Sequence, residues 1–112
     1  METLAQYVDR IMKEKNLKSW DVEARSIAAG NRIADSYVDN IVKGTTKNPS
    51  VEKLNALADG LGVDKIELFK VASGIEDPED SWTPETLLKA FQKMMNLKPK
   101  EIKQIKKILK ID

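Results

Sequence analysis

The sequence predicts an all-α protein of seven short helices, five of them up to residue 73 and two more beyond it. Three observations carry this. Apolar residues recur at spacings of three and four, the alternation of a half-buried strand never persists, and a glycine, proline, asparagine or capping residue stands near the breaks in the pattern.

The first helix is expected over Leu4–Lys15, where Leu4, Val8 and Ile11 share one side and Asn16 accepts the left-handed conformation that ends a helix. Leu17 tucks back toward the core. Lys18-Ser19 opens the second helix, with Ser19 as its cap, Asp21 at the positive end of its dipole, and Val22 and Ile27 as its apolar positions. Trp20 reads as a packing residue at a helix junction. After the turn Gly30-Asn31-Arg32 and the apolar anchor Ile33, a third helix is expected from about Asp35 to Lys43, closed by Gly44. Pro49 keeps its neighbour out of the helical region. Ser50 then caps a fourth helix carrying Val51, Leu54, Leu57, Ala58 and Leu61 before Gly62, and Asp64-x-x-Glu67 has the form of a capping box for a fifth. Ser73–Ser81 is polar and acidic. Pro84 and Pro99 stand at the first positions of two more helices, with Leu87, Leu88, Phe91, Met94 and Met95 on one and Ile102, Ile105, Ile108 and Leu109 on the other. The division is residues 1–73, an acidic linker over 74–82, and a helical element over 83–112.

Composition narrows the function. The 112 residues allow one compact domain and an appendage. There is no cysteine, hence no disulfide or thiolate metal site, and no histidine, hence neither the commonest general base nor the commonest metal ligand. An enzyme is not expected, and no catalytic, cofactor or metal set emerges. Glu76, Asp77, Glu79 and Asp80 lack the spacing and turn glycine of a calcium loop and read as solvated linker. No apolar run approaches the ~18 residues of a membrane span, and the first residues lack the pattern of a signal peptide, so a cytoplasmic location is expected. The net charge is only +1. Residues 1–74 hold 11 basic and 11 acidic side chains and residues 75–112 hold 8 and 7, so a surface for nucleic acid must come from local segregation of charge.

One constellation is specific. Ile33 to Gly44, the loop Thr45-Thr46-Lys47-Asn48-Pro49-Ser50, and Leu54 to Val63 ending Leu-Gly-Val follow one another in a fixed order. Together they resemble the phage-repressor, Cro-type (XRE-like) helix-turn-helix family over roughly residues 4–72. The resemblance implies a five-helix lambda-repressor-like DNA-binding domain with a two-helix C-terminal extension. It also implies a dimeric transcriptional regulator, most simply a repressor, on double-stranded DNA. Two departures stand out: the segment between Val22 and Ile33 is a few residues longer than the usual tight turn, and Ala34 stands where such proteins place a capping Ser or Thr.

At ~100° per residue, Val38 and Ile41 point to one side of the third helix, and Asp35, Ser36, Asp39, Asn40 and Lys43 to the other. By resemblance the base-reading positions fall on Asp35, Ser36 and Asn40. Asn40 suits adenine, Asp35 a cytosine amine, and Ser36 either role. Arg32, Lys43, Thr45 and Lys47 suit phosphates, as do the backbone N–H groups at Ser19. Tyr37 either reaches a phosphate through its hydroxyl or packs its ring at the junction of the second and third helices, and both readings stay open. Asp39 adds negative charge where DNA must approach, so dimerisation is expected to be needed for useful affinity. The apolar faces of the last two helices cover either their own chain, at helices 1 and 5, or a second copy. Homodimerisation is the favoured reading. No small-molecule or membrane partner is evident. The alternative is a protein-interaction module, for example antitoxin-like, on the same scaffold without DNA reading.

Overall fold

A computed structural model describes residues 2–46, 49–73, 83–94 and 97–110, with the side chains of 93 and 94 excepted. These residues form a compact all-α globule of seven helices without strands, measuring 34 × 29 × 22 Å. The helices are α1 (Leu4–Lys15), α2 (Ser19–Ala28), α3 (Asp35–Lys43), α4 (Val51–Leu61), α5 (Lys65–Ser73), α6 (Pro84–Met94) and α7 (Pro99–Leu109).

Local chemistry explains most of the ends. Thr3 and Gln6 exchange hydrogen bonds at the start of α1, and Asn16 closes it at φ 56°. Ser50, Asp64 and Thr83 each accept a backbone N–H three residues on, at 3.2, 3.0 and 3.1 Å, and so satisfy donors that the first turns of α4, α5 and α6 leave unpaired. Gly44 ends α3 at φ 81°, a conformation that strains any residue carrying a Cβ. The cap of α2 differs from expectation. Lys18 is the flanking residue and Ser19 the first helical one, and Asp21 accepts the N–H of Lys18 at 2.9 Å.

Two cores meet across α4 and α5. The first joins α1 to α5 through Val8, Ile11, Val22, Ile33, Val38, Ile41, Leu57, Leu61 and Leu68, all buried. Here α2 lies so close to α4 that a Cβ on Gly60 would stand 2.6 Å from the Val22 carbonyl oxygen. The second core holds Val51, Leu54 and Phe69 against Leu87, Phe91, Ile105 and Leu109, with Phe69 and Phe91 in an edge-to-face pair at 5.2 Å. The C-terminal helices therefore lay the centre of their apolar face on α4 and α5 of their own chain. The Met94 and Met95 side chains, the acidic linker and Lys47 lie outside the described residues.

Two expectations for α2 are corrected. Ile27 is 53% exposed and Trp20 64% exposed, so neither packs inward. The inward side of α2 runs from Val22 to Ser26, four residues apart, whereas Trp20, Ala24 and Ile27 share the opposite side. Ser26 is buried because it has polar work to do at the turn.

Candidate nucleic-acid interface

The site is built at the junction of α2 and α3. Ser26 Oγ accepts the N–H of Ile33 at 2.9 Å and donates to the carbonyl of Glu23 at 2.7 Å. The N–H of Asn31 reaches the carbonyl of Ser26, and the Asn31 amide donates to Asp59 on α4 at 3.0 Å. The six-residue connection from Ala29 to Ala34 is thereby tied to α2 and α4, and the inner face of α3, through Val38 and Ile41, is sealed in the first core.

Ala34 provides no side-chain cap for α3. Glu23 of α2 does so instead: its Oε1 accepts the N–H of Asp35 at 2.9 Å, and its Oε2 takes the Arg32 guanidinium at 3.0 Å. The backbone N–H of Asp35 first, and Arg32 second, hold the Glu23 carboxyl below the ordinary value for a glutamate. The carboxylate also sits at the positive end of the α3 dipole. Reading the sequence alone missed Glu23 altogether. The missing cap at Ala34 was the signal that some other acceptor must exist, but not which one.

Of the residues expected at the site, Asp35, Ser36, Asn40 and Lys43 are all exposed along one side of α3. Asp39 shares that side, and the Ser19 hydroxyl donates a hydrogen bond to its carboxylate. Ser19 thus links the start of α2 to the middle of α3, and Asp39 is held toward α2. Ser36 and Asn40 are left as the neutral hydrogen-bonding groups of the exposed face. The Asn40 carbonyl closes the helix, accepting from the N–H groups of Thr45 and Thr46 and from the Thr45 hydroxyl. Arg32 lies beside the start of α3 with 65% of its side chain exposed.

Tyr37 sits elsewhere. Its ring is half-buried against the first core, Lys53 of α4 lies over it at 5.4 Å from the centroid, and burial raises its hydroxyl above the ordinary value. The backbone N–H of Ser50 faces that hydroxyl and partly offsets the shift. The ring packs, but its partners at the start of α4, Ser50 and Lys53, are not those of the α2–α3 junction.

Chemically, the arrangement offers a short polar ridge of donors and acceptors on a helix held fixed at both ends, with cations at Arg32 and Lys43 beside it. Among the described residues no group of His, Cys, Asp or Glu side chains could hold a metal ion, and no helix is long and apolar enough to cross a membrane. No protein-family model, curated protein or solved structure matches the chain.

Proposed function

We propose that the chain is a double-stranded DNA-binding transcriptional regulator, a cytoplasmic repressor in its simplest form, that reads the major groove with α3. The five-helix, lambda-repressor-like description of residues 1–73 belongs to this proposal. The observation that carries it is the exposed side of α3, where Ser36 and Asn40 project from a helix that Glu23, Ser19 and the core hold in place. A helix of this size fits the major groove. Asn40 offers the donor–acceptor pair that matches adenine, and Asp35 can accept from a cytosine amine. Arg32, Lys43, Thr45 and Lys47 lie before and after the reading positions in sequence, where contacts to phosphate set register. The first N–H groups of α2 at Ser19 serve the same end. Two copies, placing their α3 helices about 34 Å apart, would occupy a two-fold symmetric site.

A second reading has one observation in its favour. Trp20 and Ile27 are large apolar side chains exposed on the outer side of α2, beside a face carrying Asp35 and Asp39. A protein-interaction module, antitoxin-like or otherwise, would use such a surface.

Fluorescence anisotropy of a labelled random-sequence duplex, titrated at low and then moderate salt, separates the two. DNA binding predicts a complex that weakens steeply as salt rises. A folded protein with no affinity for duplex at low salt would move the assignment to the protein-interaction reading.

A further inference from the structure

Residues 98–110 carry six lysines, Lys98, Lys100, Lys103, Lys106, Lys107 and Lys110, against one carboxylate, Glu101, an excess of five positive charges in a chain whose net charge is +1. Lys100, Lys103, Lys107 and Lys110 fall within about 80° of one another around α7, directly opposite the buried Ile105 and Leu109. None of these lysines forms an ion pair among the described residues. Lysines three and four residues apart repel one another. Lys106, Lys107 and Lys110 are partly compensated by the negative end of the helix dipole, but Lys98 and Lys100 stand at its positive end, where a cation is unfavourable. Among the described residues, nothing in the fold gains from this row.

Its place on the molecule gives it a use. Lys98 and Lys100 line a surface hollow with Ser50 and Glu52 at the start of α4, and Lys100, Lys103 and Lys107 line another with Glu52. Ser50 is also the residue whose N–H faces the Tyr37 hydroxyl of α3, and Lys53, one turn on, covers the Tyr37 ring. The start of α4 thus lies between Tyr37 of α3, which Lys53 covers, and the α7 stripe, with Glu52 and Glu101 the carboxylates in the hollows along it.

We propose that the α7 stripe is a second DNA contact, which grips the phosphate backbone of the duplex beyond the base pairs that α3 reads. The inference rests on the DNA reading above and deepens it, because it supplies the electrostatic footprint that residues 1–74, with equal numbers of each sign, lack. A bilayer surface fits less well. Ile105 and Leu109 of α7 are buried in the second core, and the apolar surface that remains beside the stripe is a shallow hollow at Pro99 and Ile102, with no aromatic side chain to anchor it in a bilayer.

The test compares wild type with Lys100→Gln/Lys103→Gln/Lys107→Gln on the same random-sequence duplex between 50 and 200 mM salt. Three lost phosphate contacts lower the salt slope by about 2.7, so the affinity lost over that range shrinks about fortyfold. Glu52→Gln shifts binding the other way and tightens it. Asn40→Ala, which removes no charge, leaves the slope on random duplex unchanged. Thermal melting checks that the triple variant folds. An unchanged slope in a folded triple variant overturns the α7 contact and leaves the α3 reading standing, whereas no wild-type binding at low salt overturns both. If the triple change instead abolishes binding to phosphatidylserine vesicles and leaves duplex binding as it was, the stripe belongs to a membrane surface and the proposal fails.

Discussion

The α2–α3 junction and α7 are both rich in charge, yet they spend it in opposite ways. At the junction Glu23, Arg32, Asp39, Ser19, Ser26, Asn31 and Asp59 all find partners within the chain. On α7 the lysines find none among the described residues. Charge that is paired across elements fixes where a helix lies. Charge that is unpaired, segregated and opposite a buried face contributes nothing to the fold and is available to something outside it. Substitutions at the junction should accordingly cost stability, and substitutions on the stripe should not.

The largest effect is expected at Gly60. Alanine is ordinarily favoured over glycine in a helix by about 1 kcal/mol. Here its Cβ would meet the Val22 carbonyl oxygen at 2.6 Å, and that oxygen belongs to backbone that cannot swing aside. Overpacking of this kind typically costs 1–3 kcal/mol, so Gly60→Ala is predicted to destabilise by about 2 kcal/mol in urea unfolding. A stabilised variant would mean that α2 and α4 are not in such contact, and the frame that holds α3 would fail with it. Ser26→Ala comes next. It leaves the buried N–H of Ile33 without its acceptor, at a cost of about 1–2 kcal/mol.

Acid should loosen the same junction. The Glu23 carboxyl is held below its ordinary value, so the stability it contributes is fully present above the ordinary glutamate range and is lost as pH falls through the depressed value. Thermal melts of wild type and Glu23→Gln should differ at neutral pH and converge under acid, and a constant difference would contradict the capping role. The smallest effect is expected on α7. Lys103→Gln relieves repulsion with Lys100, Lys106 and Lys107, and is predicted to raise stability by a few tenths of a kcal/mol at low salt. A clear loss of stability there would show that the stripe is paired after all, and would erase the contrast with the junction.

The same contrast describes what could be read from residues alone. The ends of α1 and α3 are local facts, written by Asn16 and Gly44, and the start of α4 is written by Ser50, so they are visible in the sequence. The exposed side of α3 follows from helical periodicity. What escaped were partnerships across elements. Nothing in the spacing says that Glu23 caps α3 from eleven residues upstream of Ala34, or that Ser19 holds Asp39. Ile27 read as core because apolar character was weighed above register, whereas burial of Ser26, one residue earlier, is decided by the hydrogen bonds of the turn. The apolar faces of α6 and α7 had to cover something, and only the three-dimensional arrangement identifies α4 and α5 as their own-chain partners.

The most direct test of the account is to select the preferred duplex from a random pool and measure Asn40→Ala on it and on single-base variants. The account predicts a loss of about 1–3 kcal/mol on the selected site, with preference relaxed at one base pair and binding to random duplex unchanged. An equal loss on every sequence would contradict it, because Asn40 would then be doing something other than reading a base.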